Sequence, residues 1–144
     1  MSFTFNLRQK SPLVIGLYGE LVDRDECRDM IRIIDEACQE GNAWIIFDLS
    51  DLRVMNSTGL NILVHSLTMA RKSGGEVLVC GVNEKVKKLF IITKLNTIFQ
   101  VHDTEEDALI AYGEAMIERK ANGSPSSSLK TDDDDENEPD VNTD

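Results

Sequence analysis

Asn56, Ser57 and Thr58 form a run of three polar residues that could place a reactive hydroxyl at the protein surface. Residues 44–47 before the run are apolar and predict a strand buried on both faces, and the amphipathic segment after it predicts a helix. Asn, Ser and Thr are all favoured helix caps, so a hydroxyl is expected at a helix N-terminus just beyond a central strand. Sites in open α/β sheets are usually built at that edge. Ser57 is therefore the first candidate for a functional residue.

Two interpretations of Ser57 compete. As an ordinary N-cap its hydroxyl accepts a backbone N–H and stabilises the helix by about 1 kcal/mol, and capping alone favours this interpretation. However, one cap explains only one of the three polar residues. Gly59, in the first helical turn, costs up to about 1 kcal/mol relative to Ala. Its presence indicates that some other group must approach the backbone closely there.

Asp48 and Asp51 are the second candidates, because they follow the apolar strand through a predicted short loop that also contains Arg53. An acid in this place invites comparison with the phosphoaccepting aspartate of receiver domains. Such a site also needs an acidic pair at the end of the first strand, whereas residues 8–10 are Arg-Gln-Lys. Turn formation and loop hydrogen bonds are the favoured roles for both aspartates.

Patterns for other chemistry are missing from the sequence. It contains neither the Gly-x-Gly-x-x-Gly motif nor the Gly-x-x-x-x-Gly-Lys-Ser/Thr motif of nucleotide-binding loops. No spacing of side chains predicts a metal site, so we expect no cofactor. His65 lies eight residues beyond Ser57, roughly 12 Å along a helix, too far to act as its base. Enzymatic activity is therefore the less favoured class of function. The three cysteines, which form no Cys-x-x-Cys pair, are expected to be small core residues in a reducing cytoplasm.

Charge is unevenly spread along the 144 residues. The net charge is −11, and residues 121–144 hold eight acids and one base, so residues 1–120 carry only −4. A mildly acidic body without a basic stripe argues against nucleic-acid binding. We expect no signal peptide, and no apolar segment approaches the ~20 residues needed to span a bilayer. The polar and acidic composition of residues 121–144 predicts a disordered tail after a single domain at 1–120.

Strand and helix patterns alternate along the domain and predict an α/β fold with one mixed, mostly parallel sheet and about four helices packed on it. The first two strands are expected to form an antiparallel pair, and Asp23 or Asp25 is expected to cap the first helix. Thr104 and Asn83 are expected to begin later helices. The predicted strands are residues 3–7, 13–21, 44–47, 77–80 and 99–101.

The segment from Met55 to Leu60, preceded by the apolar strand and Asp48-Leu49-Ser50, resembles the signature of the STAS domain. More specifically, it resembles the bacterial anti-sigma-factor antagonists, whose usual form is Asp-Leu-Ser/Thr followed by Asp-Ser-Ser/Thr-Gly-Leu. The resemblance extends over residues 3 to about 117 and includes Gly19-Glu20 and a Gly-Gly pair before the fourth strand. The sequence has Asn56 where the family usually has Asp, which keeps the capping chemistry and removes a charge.

The resemblance implies a partner switch. The unmodified protein would bind an anti-sigma factor that is also a serine kinase, which would phosphorylate Ser57 (second candidate Thr58), and a metal-dependent serine phosphatase would remove the phosphate. The rival is a STAS module of a transport or signalling complex that is not phosphorylated and binds a protein or small ligand. A monomer is the default expectation. The expected partner surface combines the loop at 52–56, the exposed face of the following helix including Thr68, and these residues: Asp23, Asp51, Arg53, Asn56, Ser57, Thr58, Gly59, Asn61 and His65.

Overall fold

The computed structural model describes residues 2–121 and contains one five-stranded sheet. The strands are β1 (Phe3–Lys10), β2 (Leu13–Leu21), β3 (Trp44–Met55), β4 (Glu76–Cys80) and β5 (Gln100–His102). The α-helices of the described residues are α1 (Arg28–Gln39), α2 (Ser57–Lys72), α3 (Glu84–Ile92) and α4 (Glu105–Ala121). Two short 3-10 helices, Asp25–Cys27 and Leu95–Thr97, precede α1 and β5.

The strands lie in the order β1-β2-β3-β4-β5, so β3 is the central strand. β1 pairs antiparallel with β2, and every other neighbouring pair is parallel. The parallel pairs are joined by helices, as crossover connections require. The predicted fold class, an α/β domain with a mixed and mostly parallel sheet and four helices, is confirmed.

Residues 2–109 form one compact unit, and residues 110–121 belong to a second. α4 begins in the first unit and continues into the second. The predicted tail, residues 121–144, lies outside the described residues except for Ala121. The predicted domain boundary at residue 120 therefore stays a prediction.

The core lies between the sheet and helices α1, α2 and α3, which meet one face of it in a single hydrophobic cluster. Ile15, Phe47 and Val79 from the three central strands have no exposed surface in this cluster. Strand residues that point the other way are also buried, with Ile46 and Leu78 at 0% exposure. The apolar run at 44–47 therefore forms a strand buried on both faces, as predicted.

All three cysteines are unpaired and buried, which confirms their prediction as core residues. Burial raises the pKa of the Cys27 thiol to about 11 and that of the Cys80 thiol to about 12. The pKa of Cys38 is raised for the same reason.

The predicted loop after residue 47 is wrong, because β3 runs on to Met55. Its second half pairs only with β2, since pairing with β4 ends at Asp48. The pairing with β2 has two register shifts in this region. Several residues of this second half are polar and exposed, and their composition resembles that of a loop.

The expected cap of α1 is also wrong. Neither Asp23 nor Asp25 caps α1, whose N-cap position is Cys27 without a side-chain hydrogen bond. Asp23 Oδ1 instead accepts, at 3.0 Å, the backbone N–H of Asp25, which is the first residue of the short 3-10 helix before α1. The predicted caps at Asn83 and Thr104 are confirmed, by hydrogen bonds from the N–H groups of Val86 and Asp107 respectively.

Candidate functional site

Ser57 is the first residue of α2, and its neighbour Asn56 is the N-cap. Asn56 has an extended backbone, and its Oδ1 accepts the N–H of Gly59 at 3.1 Å. The alternative in which Ser57 caps the helix is therefore wrong. The Ser57 side chain is exposed, and no group within residues 2–121 forms a hydrogen bond with its hydroxyl. The chain thus presents a free hydroxyl at the positive end of a four-turn helix.

Gly59 lies against the end of β2, which explains its place in the first helical turn. A β-carbon at this position would lie 2.3 Å from the carbonyl oxygen of Leu21 and 2.7 Å from Cγ of Met55. The close approach predicted from the sequence is therefore made by the chain itself. This contact fixes the N-terminus of α2, and with it Ser57, against the ends of the two central strands.

The first three turns of α2 bring several predicted residues onto one face. Ser57, Asn61, His65 and Thr68 follow each other at intervals of three or four residues, so they lie along one side of the helix. Ser57, Asn61 and Thr68 are exposed and His65 is partly buried. Thr58, the second candidate acceptor, is also partly buried. Ser57 is therefore the more accessible hydroxyl of the two.

His65 also faces α1. Its Nε2 lies 3.4 Å from Oδ1 of Asp35, but the two atoms do not have hydrogen-bond geometry. The side chains of both residues are about one-third exposed. The histidine thus contributes to the contact between α1 and α2 as well as to the face beside Ser57.

The remaining predicted residues lie at the same edge of the sheet. Asp51 and Arg53 are exposed on the extension of β3, and Asp23 is exposed two residues beyond the end of β2. The ends of these strands pair directly, Leu21 with Met55. Arg53 Nη2 lies 3.7 Å from a carboxylate oxygen of Glu20, but its side chain is 71% exposed, so this ion pair contributes little stability.

Asp48 has structural partners of its own. Arg8 Nη1 donates to its Oδ2 at 2.6 Å, while the backbone N–H and hydroxyl of Ser50 donate to its Oδ1. Arg8 also donates to Tyr18 and Glu105. Partial burial alone would raise the pKa of the Asp48 carboxyl, but the hydrogen bonds from Arg8 and Ser50 outweigh it, so the pKa is lowered. Through Arg8, Asp48 therefore connects β3 to β1 and to the start of α4.

No sequence pattern indicated that Arg8 would join this cluster. Arg8 lies forty residues before Asp48, and the two side chains meet only because β1 pairs antiparallel with β2 and β2 pairs parallel with β3. A lone arginine at the end of an edge strand is ordinary, so no local signal could have identified it.

A second missed neighbour of the site is α3. The side chain of Asn83 caps α3 and also donates from Nδ2 to the carbonyl oxygen of Leu52 at 2.9 Å. This bond places the start of α3 beside the side of β3 that β4 leaves unpaired. Arg53, Val54, Met55, Lys85 and Val86 line a cleft of about 100 Å³ there.

Within the part of the chain that the structure describes, no three His, Cys, Asp or Glu side chains are grouped so that they could hold a metal ion. None of the described helices is both long enough and apolar enough to cross a bilayer.

Comparison with known proteins identifies the family. Residues 27–108, more than half of the chain, match the sequence profile of the STAS domain. The anti-sigma F factor antagonist of Paenibacillus polymyxa is 34% identical over 99 residues, which cover 67% of this chain and 83% of that protein.

Two solved structures share the fold. An anti-sigma factor antagonist from Mycobacterium paratuberculosis has a TM-score of 0.65 and 23% identity, covering 76% of this chain and 93% of the other. The Bacillus cell-fate determinant SpoIIAA in its phosphorylated form has a TM-score of 0.61 and 21% identity, covering 77% and 99% respectively. The profile match and the Paenibacillus relative together show that this chain belongs to the STAS domain family.

Proposed function

We propose that this protein is an anti-sigma factor antagonist in a partner-switching pathway. In this proposal the unmodified form binds an anti-sigma factor that is also a serine kinase. Phosphorylation of Ser57 dissociates this complex. A metal-dependent serine phosphatase restores the unmodified form. The protein itself acts by binding, in the cytoplasm and as a monomer, and catalyses no reaction.

The free hydroxyl of Ser57 is the observation that carries the proposal. Because Asn56 satisfies the capping requirement, transfer of a phosphoryl group to Ser57 Oγ breaks no hydrogen bond among the described residues. In that step the terminal P–O bond of ATP breaks, a bond from Oγ to phosphorus forms, and the hydroxyl proton is released. The product carries about −1.5 to −2 charges at pH 7.

The position of Ser57 supports a switch that leaves the fold intact. Negative charge at a helix N-terminus interacts favourably with the helix dipole, so the isolated protein should tolerate the phosphate. The cost then falls on the complex, where the phosphate meets a packed partner surface. The exposed residues around it, including Asn61, Thr68, Asp23 and Arg53, are suited to form that contact surface.

The site can be tested by mass spectrometry on protein purified from its native cells. We expect a phosphate on Ser57 in the wild-type protein and in Thr58→Ala, and none in Ser57→Ala. Comparing Ser57→Ala with Thr58→Ala shows which of the two adjacent hydroxyls in this helix turn is phosphorylated. Phosphate on Thr58 alone would contradict the assignment, and an unmodified Ser57 under several growth conditions would favour the rival STAS module that is not phosphorylated.

The switch itself is tested by affinity for the cognate anti-sigma kinase. Ser57→Asp should weaken binding by at least tenfold, because it introduces a charge into the contact surface, while Ser57→Ala should bind like the wild type. The melting temperature of both variants should stay close to that of the wild type. Equal affinity of Ser57→Asp and Ser57→Ala would show that charge at this position does not control binding.

A further inference from the structure

The exposed side of α3 carries an unusual combination of lysines and large apolar residues. Ile91 is 54% exposed and Ile92 is 77% exposed, and both follow three exposed lysines on the same short helix. With Arg53 at the neighbouring end of β3 these residues form what we name the α3 surface: Arg53, Lys85, Lys87, Lys88, Ile91 and Ile92.

Helical spacing arranges these side chains in pairs. Lys87 and Ile91 are four residues apart, as are Lys88 and Ile92, so each cation lies beside an apolar side chain. Val86 and Phe90 point to the opposite side of the helix and are only 2% exposed. Packing into the core therefore explains why Val86 and Phe90 are apolar. It does not explain why Ile91 and Ile92, which are exposed, are apolar too.

Within residues 2–121 the three lysines form no ion pair, although the exposed Glu84 lies on the same helix. Among the described residues, every ion pair is formed by an arginine or by His65, and none involves Lys85, Lys87 or Lys88. Residues 1–120 carry a net charge of −4, so this concentration of positive charge runs against the balance of the body. A cationic patch on an acidic body attracts a partner with a local excess of acids.

The α3 surface continues into the region of Ser57. The cleft of about 100 Å³ is lined by Lys85 from α3 and by Arg53, Val54 and Met55 from β3, and Met55 is followed by Asn56 and Ser57 in sequence. On the other side of α3, a groove of about 290 Å³ is lined by residues that include Lys87, Ile91 and Val101. The helix thus offers apolar recesses beside its cations.

We propose that the α3 surface docks an acidic segment with interspersed apolar side chains, belonging to the protein whose binding Ser57 controls. The proposal rests on the proposed function. Acids of the segment would pair with Lys85, Lys87 and Lys88, while its apolar side chains would cover Ile91 and Ile92. An anionic lipid surface is disfavoured as the occupant, because an extended surface would also face the acidic remainder of the body, whereas a short segment would meet only the α3 surface.

The test uses the full chain, labelled with ¹⁵N, and a short synthetic peptide in which Glu and Asp alternate with Leu and Ile at helical spacing. We expect saturable amide shifts in α3 and at residues 53–55, with little change in α1. A peptide with the same acids but Ser in place of Leu and Ile should bind more weakly, and the difference should persist in about 0.5 M salt, where screening removes most of the charge attraction. Equal binding of the two peptides would overturn the apolar part of the proposal.

Matched variants assign the effect to the surface. Lys87→Glu/Lys88→Glu should raise the peptide Kd at least tenfold, whereas Lys10→Glu/Lys72→Glu, with the same change in net charge, should alter it less than threefold. Ile91→Ser/Ile92→Ser should weaken binding severalfold. Equal loss in both charge-reversal variants would mean that only net charge matters, and would overturn the proposal.

Two further outcomes would contradict the docking proposal, and the second would do so without affecting the proposed function of Ser57. Binding of vesicles containing phosphatidylglycerol through α3, without peptide binding, would overturn it in favour of a membrane contact. If Ser57→Asp still releases the anti-sigma kinase but Lys87→Glu/Lys88→Glu leaves affinity for that kinase unchanged, the proposed function survives and the α3 surface is not part of its interface.

Discussion

Ser57 owes its free hydroxyl to the residue before it. Asn56 supplies the acceptor that the first turn of α2 needs, so the serine is not required for folding of the helix. Gly59 has the complementary role, because its missing side chain lets Leu21 approach the helix. A structural residue on either side therefore leaves the serine available for modification. This division of roles is the basis for expecting that the phosphate alters binding and leaves stability nearly unchanged.

Gly59→Ala should destabilise the protein by about 1–3 kcal/mol, because the new methyl group would overlap the Leu21 carbonyl and Met55. Urea unfolding measures the change. Gly113→Ala in α4 is the matched control: within residues 2–121 a β-carbon there meets no atom within 4 Å, so the gain in helix propensity should make it neutral or stabilising by up to about 1 kcal/mol. If both substitutions changed the free energy of unfolding in the same direction, the close-contact explanation of Gly59 would be refuted.

At the scale of elements, the site depends on the length of β3, which extends well beyond its neighbour β4. β3 continues for seven residues beyond the end of its pairing with β4, and α3 lies beside the unpaired side through Asn83. The two ends of the Asn83 side chain thus serve different elements, since Oδ1 caps α3 while Nδ2 binds the backbone of β3. This link also brings the α3 surface next to the strand that leads to Ser57.

Asn83→Ala should lower the free energy of unfolding by about 2 kcal/mol, since it removes both a helix cap and a hydrogen bond to a backbone carbonyl. Asn83→Asp keeps the cap acceptor but loses the donor to Leu52, so about half of that loss is expected. Asn56→Ala, which removes a cap alone, should cost about 1 kcal/mol in the same urea titration. Equal losses for Asn83→Ala and Asn56→Ala would show that the bond to Leu52 contributes nothing.

At the scale of the whole molecule, the core is closed on both faces of the sheet and holds its cysteines as neutral thiols. Cys27, Cys38 and Cys80 are each at most 3% exposed, and burial disfavours the charged thiolate of each. For Cys80, the nearby carboxylates of Asp48 and Glu105 oppose ionisation further. Folding is therefore coupled to pH on the alkaline side.

The sign of the coupling follows from the pKa of Cys80, which is raised from 9.0 to about 12 by folding. A raised pKa stabilises the folded state fully below about pH 9, and the stabilisation is lost as pH rises from there towards 12. Between about pH 9 and 11 the free energy of unfolding should therefore fall more steeply in the wild type than in Cys80→Ala. Every other titratable group is shared by the two proteins, so the difference in slope isolates the Cys80 thiol, and identical slopes would contradict its burial as a neutral group.

The sequence by itself determined the succession of strands and helices along the chain and the mixed α/β class, and it singled out Ser57 as the candidate site. These follow from patterns that extend over a few residues: the apolar run at 44–47, the helical periodicity after Asn56, and Gly59 within the first turn. The resemblance to STAS domains rests on the same segment, and the family profile confirms it. Hydrophobic periodicity is a local signal, so the sequence alone was enough to recognise it.

Only the tertiary structure decided which of the three polar residues caps α2, and that the polar stretch after Phe47 is strand. The strand assignment depends on β2, whose residues 16–21 pair with that stretch across about thirty positions of sequence. Arg8 meets Asp48 across forty positions, and Asn83 meets Leu52 across thirty-one. Backbone pairing and side-chain contacts over such distances depend on how the elements pack together, and no local pattern of residue types records that.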